Sequence, residues 1–194
     1  MALHMDIDVK EEFYSMLHNL GRDNIKRIIA SDTRIAINML IDNFKRHLAS
    51  KKITYDGGSM GSMLVTALMH YMLTECMIPS ERKLIIDGVK VDIVIPSSRI
   101  LKSRPSNALI INILCDQIQD LSGIQPNMEN VWIILPSLKY EIRGKGIDGY
   151  KMYTMDEYVN QLRGSGIDSY SISDIIDDIR SFVDSKGLRG LSIM

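Results

Sequence analysis

The spacing of apolar residues changes near Pro79, and this change constrains the fold more than any other feature of the sequence. Before Pro79, apolar side chains recur about every three to four residues, which is typical of amphipathic helices. After Pro79, short apolar runs are separated by turn residues, which is typical of strands. The chain of 194 residues is long enough to bury one large core. The sequence therefore predicts an α/β protein whose N-terminal part is helical.

Three helical stretches are predicted before Pro79. The first covers Val9–Leu20 and ends at Gly21. The second runs from residue 25 to residue 48, and we expect it to break at residues 31–33, because Ser, Asp and Thr side chains cap helices. The third covers residues 63–72. The glycine-rich segment before it, residues 57–62, is predicted to be a flexible linker, because it lacks the Lys-Ser/Thr pair of a phosphate-binding loop.

Five apolar segments after Pro79 predict strands, at residues 83–86, 89–95, 108–114, 131–135 and 151–154. Asp87-Gly88 suits the tight turn of a β-hairpin between the first two. Helices are expected at residues 116–122, 155–162 and 173–183. This order predicts a central mixed β-sheet with helices on both faces, in an α-β-β-β-α-β core. Residues 1–56 are predicted to be a helical extension packed on this core, which comprises residues 57–194.

Composition limits the classes of function. The net charge is -1, with 45% hydrophobic and 24% charged residues, which excludes a disordered chain and a uniformly basic binder. Cys76 and Cys115 lie far apart, so neither a zinc site nor a disulfide framework is expected, and a cytoplasmic location is predicted. The N-terminal residues do not resemble a signal peptide, and the longest apolar stretch, residues 63–73, is too short to cross a membrane. No membrane partner is therefore expected.

Asp92 stands in the middle of the predicted strand at residues 89–95. A carboxylate is unusual there, because burying its charge is costly unless the charge is paired or bound to a metal. The hairpin turn predicts a register that sets Lys83 directly opposite Asp92, so a cross-strand ion pair is one interpretation. The other interpretation is a metal ligand.

Two sequence segments carry a resemblance to a known family. Residues 91–94 read Val-Asp-Ile-Val and residues 109–114 read Leu-Ile-Ile-Asn-Ile-Leu. With the order of elements over residues 63–162, they resemble the PD-(D/E)xK nuclease-like superfamily, which includes restriction endonucleases and Holliday-junction resolvases. The resemblance implies that Asp92 is a metal-binding acid. It also implies that Asn112 and Leu114 occupy the positions of a second acid and a lysine.

These two departures bear on activity. Asn112 supplies no charge to Mg²⁺, and Leu114 cannot act as the lysine does in metal-assisted hydrolysis. A degenerate, non-catalytic relative that binds nucleic acid or protein, without a cofactor, is therefore favoured. The alternative is an active Mg²⁺-dependent nuclease that uses Asp92 with Asp116 or Glu75, although a helix cap and a solvated helix-end charge explain these two residues more simply. A further alternative is a structural subunit without nucleic-acid contact.

Basic residues gather in two segments of the predicted core. Such charges contact phosphates, so DNA or RNA is the predicted partner. The residues predicted to bind nucleic acid are Arg99, Lys102, Arg104, Arg143 and Lys145, with Lys139 and Lys151 extending the basic face. The N-terminal helices are predicted to offer a surface for a homo-oligomer.

Overall fold

The computed structural model describes residues 8–55, 57–86, 88–114, 130–137 and 150–188. Within these ranges the helices are α1 (Val9–Leu20), α2 (Arg22–Ser31), α3 (Thr33–Ser50), α4 (Ser59–Glu75), α5 (Ser98–Ser103), α6 (Asp156–Gly164) and α7 (Ile175–Ser185). The strands are β1 (Glu81–Ile86), β2 (Val89–Ile95), β3 (Leu109–Ile113), β4 (Val131–Leu135), β5 (Lys151–Thr154) and β6 (Ser169–Ser171).

The six strands form one sheet in which they lie in chain order. The first three pair antiparallel, and β3 to β6 pair parallel. In the hairpin Ile86 pairs with Val89, which is the register predicted from the Asp-Gly turn. Ile111 of β3 packs in the large core with α1 to α4 and α7, whereas Ile110 packs with Leu101 of α5 on the other face. The predicted mixed sheet with helices on both faces is confirmed.

Capping side chains set the bounds of the N-terminal helices. Asp8 begins α1, and its carboxylate accepts the first free backbone N–H groups of that helix. Gly21 ends α1 with a φ of 81°, a conformation that glycine adopts without strain. Asp32 is extended between α2 and α3, and its carboxylate accepts the N–H groups of Arg34 and Ile35. The predicted break at residues 31–33 is therefore confirmed, with Asp32 as its cause.

Polar contacts join the start of α3 to the α7 region. The hydroxyl of Thr33 donates to the Asp177 carboxylate over 2.8 Å, and Arg34 Nε lies 2.9 Å from Asp174 Oδ1. Ile175, Ile176 and Ile179 are buried in the core that also contains the buried residues of α3. The last described helix, α7, therefore packs into the same core as the N-terminal helices.

One prediction about local structure is wrong, and two elements were not predicted. The segment at residues 57–62 is not a linker, because α4 already begins at Ser59. Gly61 lies within this helix, where an added Cβ would meet the Tyr55 hydroxyl at 3.1 Å and the Pro136 side chain at 3.2 Å, so glycine serves close packing there. The two elements that were not predicted are α5, at residues 98–103, and β6, at residues 169–171.

The helix predicted at residues 116–122 lies outside the described residues. In the part of the chain that is described, no helix combines the length and apolar character needed to span a membrane.

Candidate functional site

Asp92 and Asn112 meet where the pairing of β2 with β3 ends. The last paired residues on this side are Ile93 and Ile111, and the next positions along the two strands are Asp92 and Asn112. The Asp92 N–H donates to the Asn112 side-chain oxygen over 3.3 Å, and the N–H of Ile113 donates to Asp92 Oδ2 over 2.7 Å. The two side chains therefore replace backbone hydrogen bonds between the strands.

Burial is the largest influence on the pKa of the Asp92 carboxyl group. Removal of the carboxyl group from water raises its pKa above the usual value of 3.8. The N–H of Ile113 and the charge of Lys83 act in the opposite direction and are the smaller effects. The hairpin register sets Lys83 across from Asp92, as predicted, but Lys83 adopts a left-handed φ of 52° that interrupts the pairing. Within the described residues, Lys83 and Asp92 form no direct ion pair, so the predicted pair is reduced to a longer-range attraction.

Asn112 and Leu114 lie at the end of β3. Asn112 is buried, and because side chains alternate along a strand it lies on the face opposite Ile111 and Ile113. The Leu114 side chain packs against an apolar cluster formed by Ile133, Leu135, Met152 and Leu162. Position 114 is therefore apolar in its surroundings as well as in its own side chain.

Asp92 and Asn112 do not by themselves make a Mg²⁺ site. Mg²⁺ needs several oxygen ligands in near-octahedral geometry, with carboxylate charge among them. Asp92 uses one carboxylate oxygen to accept the Ile113 N–H, and Asn112 uses its oxygen to accept the Asp92 N–H. In the described residues, no group of three or more His, Cys, Asp or Glu side chains could hold a metal ion.

Of the two further acids that the sequence suggested, Glu75 is not brought to this position. Glu75 ends α4, where it pairs with Arg22 at 3.4 Å and with Lys26 at 3.5 Å, both on α2. Its carboxylate is thus engaged in packing the N-terminal helices against α4. Asp116 lies outside the described residues.

Three of the predicted nucleic-acid-binding residues form an exposed basic surface, which we call the α5 surface. Arg99 and Lys102 lie on α5 and Arg104 is its C-cap, and all three are exposed. Leu101 anchors this helix on the sheet, and the Ser97 hydroxyl caps it. Within the described residues, none of the three basic side chains has an ion-pair partner. Arg143, Lys145 and Lys139 lie outside the described residues.

Among the described residues, Lys151 is paired with an acid and lies over aromatic rings. Its ammonium group lies 2.8 Å from Asp178 Oδ2 and 4.7–5.3 Å from the ring centres of Trp132, Tyr153 and Tyr170. The Tyr153 hydroxyl also donates to Asp178 Oδ2, over 2.6 Å. This cluster fastens α7 to the parallel strands. Sequence reasoning missed it, although Asp178 beside the apolar positions of α7 was a signal that this acid lies near the core.

The fold is that of restriction endonucleases. The structure is similar to that of the restriction endonuclease PspGI in complex with substrate DNA, with a TM-score of 0.61 and 15% identity, over 93% of this chain and 94% of that chain. It is also similar to metal-depleted Ecl18kI in complex with uncleaved DNA, with a TM-score of 0.60 and 13% identity, over 98% of this chain and 83% of that chain. The sequence itself matches no protein-family model and no curated protein. The chain therefore has a restriction-endonuclease-like fold.

Proposed function

We propose that this protein uses a restriction-endonuclease-like fold to bind DNA without cleaving it. The observation that carries the proposal is the use of the Asp92 and Asn112 oxygens at the end of β2 and β3. Both oxygens accept backbone N–H groups of the neighbouring strand, so they help to hold the two strands together. One acid beside one neutral amide also supplies less negative charge than a Mg²⁺ site with two acids. Leu114 adds an apolar side chain where the resemblance would require a lysine.

Two observations support DNA as the partner. The similar structures of PspGI and Ecl18kI both contain DNA. The α5 surface carries three exposed positive charges without carboxylate partners in the described residues. Arg and Lys side chains of this kind contact phosphate oxygens, which supplies affinity but little sequence preference.

The second candidate is an active Mg²⁺-dependent nuclease. Glu75 is already paired with Arg22 and Lys26, so of the two acids named for this role Asp116 is left to act with Asp92. A purely structural role without nucleic-acid contact is the third candidate. Incubation with Mg²⁺ or Mn²⁺ and a labelled DNA duplex separates the first two. We expect no cleavage; cleavage that disappears in Asp92→Ala would refute the non-catalytic proposal.

Binding is measured separately, by fluorescence anisotropy of the same duplex without metal. We expect affinity that weakens as salt is added and that falls in Lys102→Ala. Lys10→Ala is the matched control, because Lys10 is an exposed lysine on α1 and is not part of the α5 surface. Absence of binding by the wild type would favour the structural role, and an equal loss in both variants would show that the α5 surface is not the contact.

Self-association through the N-terminal helices is also proposed. Ile35 of α3 is 60% exposed, which is high for a large apolar side chain on a helix that is otherwise well packed. Sedimentation velocity of the wild type and of Ile35→Lys tests this contact. A monomeric wild type would refute it.

A further inference from the structure

Lys90 of the β1–β2 hairpin lies on the face of the sheet that α5 does not cover. It pairs directly with Ile85, and directly paired residues of antiparallel strands share a face. Ile86, the next residue of β1, packs in the cluster that contains Leu101 of α5. Because neighbouring side chains alternate along a strand, Ile85 lies on the other face, where it is 74% exposed. Lys90, which is exposed as well, therefore faces away from α5.

Lys83, the other lysine of the hairpin, lies on the α5 side of the sheet. Its charge acts on the carboxyl group of Asp92, and Asp92 is hydrogen-bonded to Asn112 of β3. The Asn112 side chain shares a face with that of Ile110, two residues earlier in the same strand. Ile110 packs in the cluster that contains Leu101 of α5. The two lysines of one hairpin are therefore on opposite faces.

The backbone leaves the charge of Lys83 available to a partner from solvent. The pairing of β1 with β2 skips Lys83 and Asp92, and Lys83 has a left-handed φ of 52°, which lysine rarely adopts. Its side chain is exposed and, among the residues that the structure describes, forms no ion pair. Asp92 is part-buried, and its Oδ2 accepts the N–H of Ile113. The carboxylate is thus held in the sheet, whereas the ammonium group is free to contact DNA.

The α5 surface and Lys83 are close enough for one duplex to contact both. The N–H of Ser98, the first residue of α5, donates to Glu81 Oε2 of β1 over 3.1 Å. Leu101 of α5 packs over Val94 of β2 and Ile110 of β3. Across the sheet, β1 lies one to two strand spacings from these positions, or about 5–10 Å. Each strand of duplex DNA carries one phosphate per about 3.4 Å of helix axis, so a few consecutive phosphates cover this interval.

We infer that Lys83 and the α5 surface form one DNA-contacting face, and that the opposite face of the hairpin, with Lys90, does not contact DNA. The inference rests on the proposed DNA binding and extends it, because it fixes which face of the sheet meets the duplex. Lys83 contacts a phosphate group, which adds affinity and salt dependence but no sequence preference.

Fluorescence anisotropy titrations of a labelled duplex at several salt concentrations test the inference. Lys83→Ala should reduce the slope of log affinity against log salt by about 0.9 and raise the dissociation constant near 0.1 M salt by roughly threefold to tenfold. Lys90→Ala is the matched control, because it removes an exposed lysine from the same hairpin but from the other face. It should keep the slope and the affinity of the wild type. Lys83→Arg, which retains the charge, should keep the slope too.

Lys83→Gly separates loss of the contact from loss of the fold. Glycine adopts the left-handed φ of position 83 without strain, so this variant should unfold at a temperature no lower than that of the wild type. It should nevertheless show the same reduced salt slope as Lys83→Ala.

The outcomes distinguish this inference from the proposed function. A reduced slope in Lys102→Ala with an unchanged slope in both Lys83 variants that lack the charge would overturn the inference and leave DNA binding in place. An equal loss in Lys83→Ala and Lys90→Ala would also overturn it, because the two faces would then be equivalent. Absence of DNA binding by the wild type would overturn the proposed function and this inference with it.

Discussion

If Asp92 holds two strands together rather than a metal, its oxygen should matter more than its charge. Asp92 Oδ2 accepts the N–H of Ile113 over 2.7 Å. Asp92→Asn keeps an oxygen for this bond and removes the charge, whereas Asp92→Ala removes both. The two variants therefore separate the structural contribution of the acceptor from the contribution of the carboxylate charge.

The expected magnitudes follow from this contact. In Asp92→Ala the N–H of Ile113 loses its acceptor at a part-buried position, which costs roughly 1–3 kcal/mol of unfolding free energy. In Asp92→Asn the acceptor remains, and the weaker neutral hydrogen bond is offset because no charge is buried. We expect this variant to lie within about 1 kcal/mol of the wild type at pH 7.

The raised pKa of Asp92 also predicts the direction in which stability changes with pH. Burial raises the pKa of Asp92 in the folded protein above the unfolded value of 3.8, so the folded state binds the proton more tightly. The stability that this group contributes is therefore fully present below pH 3.8 and is lost as the pH rises through the folded pKa. Asp92→Asn has no such titration. The stability of the wild type relative to Asp92→Asn should consequently fall as the pH is raised from about 4 to 7.

Urea unfolding followed by fluorescence measures all three proteins, because Trp132 on β4 is the single tryptophan of the chain. The reasoning would be refuted if Asp92→Asn were as unstable as Asp92→Ala at pH 7. It would also be refuted if the wild type gained stability over Asp92→Asn as the pH rose, since that would mean that the ionised carboxylate is the favoured form.

Three further predictions concern other contacts. Asn112→Asp sets a second carboxylate beside Asp92, so without metal this variant should be less stable than the wild type. Addition of Mn²⁺ should raise the melting temperature of the variant, because the metal binds the two acids of the folded state. An equal rise in the wild type would contradict the poor fit of Asp92 and Asn112 to a metal. Lys102→Ala should reduce the slope of log affinity for duplex DNA against log salt by about 0.9, as expected for one lost phosphate contact, and an unchanged slope in an anisotropy titration would remove Lys102 from the interface. Tyr153→Phe should lower the free energy of unfolding by roughly 1–3 kcal/mol, because the hydroxyl of the buried Tyr153 donates to the part-buried Asp178 carboxylate. A change near zero in urea unfolding would show that Lys151 alone satisfies that carboxylate.

Much of the fold could be predicted because local patterns agree with the tertiary structure. The apolar spacing located α1 and the α2–α3 pair, and Asp32 marked the break between the latter two. Asp87-Gly88 set the hairpin register, and this register in turn set Lys83 opposite Asp92. The contact between Asp92 and Asn112 could be anticipated only through the resemblance to a nuclease family. No turn signal in the sequence indicates that β2 pairs with β3.

The remaining features depend on distances that a sequence does not contain. The glycines at residues 57–61 suggested a flexible linker, but Gly61 lies inside α4 and packs closely against Tyr55 and against Pro136, which follows β4. Lys151 suggested a surface charge, yet Asp178 and three aromatic rings enclose it. In both cases a contact that the local pattern does not show, with Pro136 or with Asp178, decides the role of the residue.

The junction between α3 and α7 bears on how the chain folds during synthesis. Each strand pairs with its neighbours in the sequence, so the sheet can grow in the order in which the strands leave the ribosome. The helical core cannot be completed in that order, because Thr33 and Asp177 are 144 residues apart. The apolar surfaces of the first helices therefore stay partly exposed until the last described helix has been synthesised. We expect ribosome-bound chains that end before α7 to resist proteolysis less at α3 than chains that include it, and to depend more on chaperones.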